Sequence, residues 1–417
     1  DGAGDGTFSR STIPSKLPAA YLSAGDFDGD QVDDLAFVEL GSDPNVSNEI
    51  DEDLIPPDTT YVAFGAVAGK PEPPAPVGNL RRVRSVVTGR LEGADATDDL
   101  VIVAKPKTDL AFAVIGGNAH RQLHAPFVFS KLEGTAAIVV GAVEWALYGM
   151  FSDDWEHGGM VVLTVDHPLL PGGWRLWQVS SNDNAALIPS RAGESAEDKS
   201  TLDFAGCQVA VLDLEDDGID EVVTFCDEEL SIFKAESVGF VRDDTVTTTH
   251  TVLPNEVFET GEMVDRPTVR DVDDDGLLDV ALLDGDRNIV IYWNDGSGSL
   301  GSGAGGETVV TSLISDEPDL TEDVQTLDFS FLNADGDGAL ELVVLNWTDG
   351  VRLLDFDAAD FTFQSIPDGI DLPFDEEEIW VFGDVVTAGD FDGDGVDDIA
   401  IGDYFTYGVL RGGRVRP

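Results

Sequence analysis

The stretch GDFDGDGVDDIA at residues 389–400 alternates acidic residues with glycine and then runs into an apolar sequence. Four further stretches repeat it with few changes: GDFDGDQVDDLA (25–36), LDLEDDGIDEVV (212–223), RDVDDDGLLDVA (270–281) and LNADGDGALELV (332–343). We number these acidic motifs 1 to 5 in chain order, so that the stretch at 389–400 is motif 5. Five copies of one motif indicate an architecture that is built from repeated units.

The spacing of the motifs predicts how many units the chain contains. From motif 2 onward they recur about every 60 residues, and the interval before motif 2 has room for two more units. One of these is GRLEGADATDDLVIV at 89–103, which gains a residue, and the other is VGAVEWALYGM at 140–150, which keeps little beyond Glu144. We therefore predict a single domain over 1–417 with seven units, at approximately 17–79, 80–131, 132–200, 201–256, 257–318, 319–378, and 379–417 plus 1–16.

The sequence around the motifs predicts β-strands. Each motif leads into an apolar, β-prone run, for example 35–38 and 399–401, and no long stretch has helical periodicity. Units of this length with four short strands each are typical of β-propellers, so we predict an all-β, seven-bladed β-propeller. The strand-like GVLRGG at 408–413 and the turn-like DGAGDGTF at 1–8 together make one unit. We expect the ring to close by pairing 8–13 with the C-terminal blade, which removes exposed sheet edges.

The charge of the chain limits its partners. Its 417 residues include 82 Asp and Glu against 23 Lys and Arg, a formal charge of −59 at pH 7. Such a field repels nucleic-acid phosphates and anionic lipids, so we expect no nucleic-acid partner. The longest apolar stretch, 136–151, is too short to span a bilayer, so we expect no membrane insertion. The 42% hydrophobic content is sufficient for a packed core.

The motif places oxygen atoms at regular intervals. When Asp26 of motif 1 is counted as position 1, acidic or amide side chains stand at positions 1, 3, 5 and 9, glycine usually stands at position 6, and position 7 can offer a carbonyl. Calcium takes six to eight oxygens, and alternate side chains of a tight turn can converge on one ion. The alternative is a plain turn, because Asp, Asn and Gly all favour turns. Four like charges within nine residues would, however, repel one another without a counter-ion.

The motifs resemble the calcium-binding loops of FG-GAP repeats, also called VCBS repeats, as in the seven-bladed propeller head of integrin α subunits. The resemblance covers nearly the whole chain and implies about five structural Ca²⁺ sites at the hairpin loops. Carried over position by position, with position 7 contributing its carbonyl, it implies the following ligands: Asp26, Asp28, Asp30, Val32 and Asp34 in motif 1; Asp213, Glu215, Asp217, Ile219 and Glu221 in motif 2; Asp271, Asp273, Asp275, Leu277 and Asp279 in motif 3; Asn333, Asp335, Asp337, Ala339 and Glu341 in motif 4; and Asp390, Asp392, Asp394, Val396 and Asp398 in motif 5.

Several residues depart from this pattern. In the second unit Arg90 replaces the first ligand, so we expect no calcium there despite three nearby acids, and the third unit offers no site. Weaker sites are expected at three positions: Gln31 replaces the usual glycine, Glu215 is longer than Asp, and Asn333 lowers the charge of its motif.

Two cysteines flank motif 2. Cys207 and Cys226 stand almost symmetrically about it, which places them nearly opposite each other on the strands of its hairpin. A cross-strand disulfide and two buried free thiols are both compatible with this spacing.

No catalytic arrangement is visible in the sequence. The stretch GSGSLG at 296–301 matches a dinucleotide-binding pattern by letter only, because no helix follows it. We therefore expect a binding protein and not an enzyme, namely a secreted or cell-surface calcium-binding adhesion or recognition module whose partner is an extracellular protein or glycan. The alternatives are an extracellular polysaccharide lyase or hydrolase on the same fold and a structural component of a surface layer.

Overall fold

The structure is a computed structural model, and it describes residues 9–14, 19–41, 57–66, 72–80, 83–89, 97–104, 111–115, 127–129, 142–151, 159–165, 175–180, 188–193, 208–226, 229–236, 239–247, 267–301, 306–310, 326–334, 340–346, 350–357, 359–365, 383–403 and 406–411. All regular structure within these ranges is β-strand, which confirms the all-β prediction. Among these residues there is accordingly no helix that could cross a membrane.

The described strands form seven four-stranded antiparallel sheets, which we number in chain order. Sheet 1 contains β2 (Ala19–Gly25), β3 (Asp34–Glu39), β4 (Asp58–Ala63) and β5 (Ala75–Leu80). Sheet 2 contains β6 (Val83–Gly89), β7 (Asp99–Ala104), β8 (Ala111–Ile115) and β9 (Phe127–Phe129), and sheet 3 contains β10 (Ala142–Gly149), β11 (Gly159–Val165), β12 (Arg175–Ser180) and β13 (Ile188–Gly193). Sheet 4 contains β14 (Gln208–Leu212), β15 (Glu221–Cys226), β16 (Glu229–Glu236) and β17 (Gly239–Thr247).

The remaining three sheets follow the same order. Sheet 5 contains β18 (Thr268–Arg270), β19 (Asp279–Leu283), β20 (Ile289–Tyr292) and β21 (Glu307–Val310), and sheet 6 contains β22 (Thr326–Leu332), β23 (Glu341–Asn346), β24 (Gly350–Asp357) and β25 (Thr362–Ser365). Sheet 7 contains β26 (Gly383–Gly389), β27 (Asp398–Asp403), β28 (Thr406–Arg411) and, at its edge, β1 (Ser9–Pro14).

The second strand of a sheet is buried on both faces. In β3, Leu35 and Phe37 pack in a cluster with residues of sheet 7, whereas Ala36 and Val38 pack in a cluster with residues of sheet 2. Successive side chains of a strand point to opposite faces, so a strand between two sheets needs apolar residues at every position. This explains why the sequence after each motif is a continuous apolar run and does not alternate.

The sheets pack against one another in chain order. The first strands β2, β6, β10, β14 and β18 contact each other in succession, β22 contacts β26, and β26 contacts β2. Sheets 5 and 6 share an apolar cluster that includes Ala281 and Phe329. Sheet 7 therefore lies against sheet 1, and the series returns to its start.

The strands nearest the two chain ends lie in one sheet. β1 pairs antiparallel with β28 from Ser9 opposite Arg411 to Pro14 opposite Thr406. The expected pairing of 8–13 is thus observed with a shift of one residue, and Phe8 lies outside the described residues.

The cysteine alternatives are also resolved. Cys226 at the end of β15 is disulfide-bonded. The sequence contains one other cysteine, Cys207, which lies outside the described residues. The register of β14 and β15 pairs Gln208 with Phe225, the residues immediately inside the two cysteines.

Candidate metal centres

All five motifs form the hairpin loop between the first two strands of a sheet. In each hairpin, the last two paired residues before the loop are the residue preceding position 1 and the residue at position 9. These pairs are Gly25 with Asp34, Leu212 with Glu221, Arg270 with Asp279, Leu332 with Glu341, and Gly389 with Asp398. In sheets 2 and 3 the corresponding pairs are Gly89 with Asp99 and Gly149 with Gly159, so these loops are one residue longer. The two units in which no site was expected therefore also differ in loop length.

The turn within the motif depends on two left-handed residues. Positions 4 and 6 have positive φ in each of the four motifs whose turn the structure describes: Gly29 (75°) and Gln31 (68°), Asp216 (54°) and Gly218 (85°), Asp274 (60°) and Gly276 (91°), and Gly393 (70°) and Gly395 (84°). Glycine adopts this conformation freely, whereas a residue with a Cβ atom is strained in it. Gln31 therefore strains motif 1 at the position where the other motifs have glycine.

The position-9 acid binds the beginning of its own motif. In all five motifs one of its carboxylate oxygens accepts a hydrogen bond from the N–H of position 2: Asp34 from Phe27 (2.9 Å), Glu221 from Leu214 (2.9 Å), Asp279 from Val272 (3.0 Å), Glu341 from Ala334 (2.7 Å) and Asp398 from Phe391 (3.2 Å). The other oxygen accepts from residues that follow the third strand, Gly65 for Asp34 (2.8 Å) and Asn294 for Asp279 (2.9 Å). The position-9 side chain thus links the motif to the next hairpin of its sheet.

Burial makes the position-9 acids difficult to ionise. Asp34 and Asp279 are each only 1% exposed. Burial raises the pKa of Asp34 to about 8, with a contribution from the charges of Asp28 and Asp26, although backbone N–H groups lower it. Burial likewise raises the pKa of Asp279 and that of Glu221 to about 7. A bound cation opposes these effects, because it favours the charged form of the carboxyl group.

The side chains at positions 1 and 5 stabilise the turn by accepting hydrogen bonds from its backbone N–H groups. In motif 5, Asp390 Oδ1 accepts from the N–H of Asp394 (3.0 Å) and its Oδ2 from that of Gly395 (2.9 Å), and Asp271 makes the equivalent bonds in motif 3. The position-5 side chains each accept from the N–H of position 7: Asp30 from Val32, Asp217 from Ile219, Asp275 from Leu277, and Asp394 from Val396. The carbonyl ligands expected from position 7 remain a prediction.

Three motifs bring their acids together. The carboxylates of positions 1, 3 and 9 lie within 4.8 Å of one another in motif 1 (Asp26, Asp28, Asp34), motif 3 (Asp271, Asp273, Asp279) and motif 5 (Asp390, Asp392, Asp398). In motif 3, Oδ1 of Asp273 is buried and accepts no hydrogen bond. Converging carboxylates with an unused oxygen are the donors that a hard divalent cation such as Ca²⁺ prefers. These three groups could hold a metal ion.

Motif 2 differs from these three. Its acids are not among the groups that converge in the described part of the chain. Instead Glu215 at position 3 forms an ion pair with Lys234 of β16, with 2.7 Å between Oε1 and Nζ.

The other predicted residues are only partly described. In motif 4, Asn333 and Glu341 occupy positions 1 and 9, while Asp335, Asp337 and Ala339 lie outside the described residues. In sheet 2, Arg90, Glu92 and Asp95 also lie outside them, and Asp99 begins β7 as a buried residue. In sheet 3, β10 ends at Gly149 and Met150 takes position 1, where it offers no carboxylate.

The structure also reveals a contact between sheets that we did not predict. The residue before position 9 is an acid in four units, and it makes two hydrogen bonds to the backbone of position 1 in the preceding sheet. We call this pair of bonds the brace. For Asp98 and Asp26, the Asp98 N–H donates to the carbonyl (2.8 Å) and Asp98 Oδ2 accepts from the N–H (3.0 Å). The same brace joins Asp220 to Met150, Asp397 to Asn333, and Asp33 to Asp390.

The bracing acids are themselves buried. Burial raises the pKa of Asp33 and that of Asp220 to about 6, and it also raises the pKa of Asp397. The sequence signal for them was the pair of adjacent acids at the end of the motif, as in Asp33–Asp34 and Asp397–Asp398. From the sequence, only the second member of each pair has a predicted role.

Comparison with known proteins supports the fold. No protein-family model and no curated protein matches the sequence. The exotype rhamnogalacturonan lyase YesX aligns over 98% of this chain and 76% of its own, with 12% identity and a TM-score of 0.53. A lectin of Agrocybe aegerita that recognises non-reducing terminal N-acetylglucosamine covers 84% of this chain and 79% of its own (11% identity, TM-score 0.50). BBS1N, in its complex with ARL6DN, covers 96% of this chain and 95% of its own (11%, 0.50).

At this level of identity the similarities concern the fold alone. Together with the antiparallel sheets of the structure, they show that the chain has an all-β, propeller-like fold.

Proposed function

We propose that this protein is a seven-bladed β-propeller of FG-GAP or VCBS type that binds Ca²⁺ at its hairpin loops and acts as a secreted or cell-surface adhesion or recognition module. In this proposal each of the seven sheets is one blade. Two features support it, namely the contact between sheet 7 and sheet 1 and the pairing of β1 with β28 in one sheet.

The observation that carries the proposal is the convergence of three carboxylates in motifs 1, 3 and 5. The acids come from both ends of a nine-residue loop, so an ion bound among them would join the first strand of the sheet to the second. Removing the ion would leave like charges close together in a buried setting, which is costly. We therefore propose that calcium stabilises the hairpin loops and takes no part in a reaction. Motif 4 is proposed as a further site on the resemblance alone.

The partner that we propose is an extracellular protein or a glycan. The formal charge of −59 supports this choice, because it disfavours polyanionic partners and suits an exterior where salt and calcium screen the charge. A lectin and a rhamnogalacturonan lyase have related folds, and for this reason glycans are a suitable first class to screen. We propose binding and not catalysis as the outcome of such contacts.

A calcium titration tests the proposal directly. Protein stripped with a chelator is titrated with CaCl₂ by isothermal calorimetry while the melting temperature is followed in parallel. We expect at least three bound ions, one for each converging group, and a large rise in melting temperature. Asp273→Asn serves as a matched variant, because it keeps the shape of the side chain and should remove one ion. Protein that binds no calcium and shows no thermal shift would mean that the motifs are plain turns.

A ligand screen follows from a positive titration. Glycans and extracellular matrix proteins are tested with calcium and with chelator, and binding that requires calcium is expected. Release of sugar fragments during the screen would instead favour a polysaccharide-acting enzyme, and self-association at raised calcium would favour a surface-layer component.

A further inference from the structure

A positively charged side chain lies beside motif 2, at a register position that is apolar beside motifs 1 and 3. Lys234 Nζ lies 2.7 Å from Oε1 of Glu215, the position-3 acid, and both side chains are only partly exposed (27% and 37%). A Cβ atom on Gly298 in the turn after β20 would lie 2.5 Å from the same oxygen, so Glu215 also lies directly against sheet 5. Its carboxylate is therefore held between Lys234 and the backbone of the neighbouring sheet.

The strand register places Lys234 next to the position-9 acid of its motif. β15 pairs with β16 from Val222 opposite Phe233, so continuing the ladder by one residue sets Glu221 opposite Lys234. Lys234 thus contacts the position-3 acid and stands at the register position opposite the position-9 acid, and in motifs 1, 3 and 5 these two acids converge with position 1.

The corresponding residues of other sheets show what is particular to motif 2. The same register position is occupied by Phe64 beside motif 1 and by Trp293 beside motif 3. Beside motif 5 it is occupied by Arg411, yet the three Asp of that motif converge. Motif 2 alone among the five has Glu at position 3, and this longer side chain reaches the lysine. The combination of a cation at this register position and a Glu at position 3 distinguishes motif 2.

We propose that Lys234 provides in motif 2 the positive charge that a calcium ion provides in motifs 1, 3 and 5, so that motif 2 is closed by an internal ion pair and binds no calcium. The comparison with a metal in the other motifs rests on the proposed function. The consequence is a hairpin whose closure does not depend on the calcium concentration, in the sheet that also contains the disulfide of Cys226.

The first test counts calcium ions in variants of the full chain. Lys234→Met removes the charge at similar length, and we expect it to bind one ion more than the wild type by calorimetric titration. Lys234→Arg keeps the charge and is the matched control, with an unchanged ion count. A gain in Lys234→Arg equal to that in Lys234→Met would overturn the proposal, and so would the absence of any gain in Lys234→Met.

The second test removes position-1 ligands from the wild type. We expect Asp213→Asn in motif 2 to leave the ion count unchanged, whereas Asp271→Asn in motif 3 lowers it by one. Loss of an ion from Asp213→Asn would show that motif 2 binds calcium beside Lys234 and would overturn the proposal.

Melting in chelator separates this proposal from the proposed function. Without calcium, Lys234→Met should melt below Lys234→Arg by at most about 1 °C, since a partly exposed ion pair contributes little to the stability of a chain of this length. Equal melting of the two variants would overturn the role of Lys234 even if the protein binds calcium elsewhere. If no variant binds calcium, the proposed function fails, and the melting difference still decides whether Lys234 neutralises motif 2.

Discussion

Motifs 1 and 3 present the same three acids, but neighbouring sheets support them differently. In motif 1 the backbone of Asp26 is braced by Asp98 of sheet 2. In sheet 6 the residue corresponding to Asp98 is Leu340, whose side chain cannot accept a hydrogen bond from the backbone of Asp271. Both motifs keep the bonds of the position-9 acid within the sheet. Closure of the hairpin is thus encoded within each unit, and the brace between sheets is an addition found in some units only.

The largest expected change is in the melting temperature when calcium is removed, and it should depend on pH through both motifs. Folding raises the pKa of Asp34 from its ordinary 3.8 to about 8 and that of Asp279 to about 7, chiefly by burial. The folded state therefore holds these protons more tightly than the unfolded state. The associated stability is fully present below about pH 4 and is lost as the pH rises through about 8 in motif 1 and about 7 in motif 3. In chelator, the melting temperature should be clearly higher at pH 5 than at pH 8.

Calcium should reverse this dependence, because the ion requires ionised ligands. In saturating calcium the protein should therefore melt higher at pH 8 than at pH 5. Asp34→Asn is the site-specific control. Its amide does not titrate, so in chelator the difference in melting temperature between pH 5 and pH 8 should be smaller than in the wild type, although its single acceptor oxygen leaves one of the N–H groups of Phe27 and Gly65 without a partner and lowers stability at both pH values. Identical melting at both pH values in chelator would contradict the burial of ionisable groups in the motifs.

The second-largest effect is expected on the unfolding free energy when the position-9 side chain is removed. The loss should be the same for motif 1 and motif 3. Asp279→Ala and Asp34→Ala each leave two buried N–H groups without their acceptor and remove a proposed calcium ligand. We expect each to cost about 3 kcal/mol of unfolding free energy in calcium. Urea unfolding measures this cost, with Asp274→Asn on the exposed side of motif 3 as the control, because asparagine also tolerates the left-handed conformation of that position. A much smaller loss for one of the two variants would show that the motifs do not share one closure.

Removing the brace should weaken calcium binding and stability at motif 1 and leave motif 3 unchanged. Asp98→Leu copies the residue found at 340 and leaves the Asp26 N–H without its partner. We expect a loss of about 1–2 kcal/mol in unfolding free energy, with Asp98→Asn losing less because its amide oxygen can still accept. Calorimetry should show weaker binding at one calcium site only. If the Asp98→Leu variant also weakened binding in a protein that already carries Asp26→Asn, the brace would act beyond motif 1.

The repeat itself could be read from the sequence because its chemistry is local. Left-handed turn residues, alternating oxygens and the following apolar run all lie within about a dozen residues, and together they determine a hairpin loop. The all-β fold and the nine-residue length of the motif from position 1 to position 9 followed from this. The five sets of ligands stay predictions. The acids of positions 1, 3 and 9 converge in motifs 1, 3 and 5, whereas Glu215 of motif 2 pairs with Lys234, which is distant in sequence.

The features that were missed are those that join distant residues. Lys234 lies on the third strand of its sheet, so the sequence of motif 2 does not indicate its contact with Glu215. The bracing acids act on the preceding sheet, about 60 residues or more away in sequence, as Asp98 does on Asp26. Asp33 and Asp390 are joined across the two ends of the chain. Adjacent acids marked these positions, but a role for them required the packing of neighbouring sheets.

The smallest expected effect is an exchange at position 6, where motif 1 has Gln31 and motif 3 has Gly276. Both residues have positive φ, and both donate their N–H to the position-1 carboxylate at 3.0 Å. A Cβ on Gly276 would meet no atom within 4 Å, so backbone strain is the main difference between the two side chains. The left-handed conformation costs a non-glycine residue about 1–2 kcal/mol, and the greater freedom of glycine in the unfolded chain offsets part of this.

We therefore expect Gln31→Gly to raise the unfolding free energy by about 0.5–1 kcal/mol, and Gly276→Gln to lower it by a similar amount. Urea unfolding in saturating calcium measures both, and the double variant should lie near the wild type because the two motifs are in separate sheets. Gly218→Gln in motif 2, at the same position and with equally open space around it, should behave as Gly276→Gln does. A neutral Gln31→Gly together with a destabilising Gly276→Gln would mean that the Gln31 side chain makes a favourable contact that compensates its backbone, and the two turns would then not be equivalent.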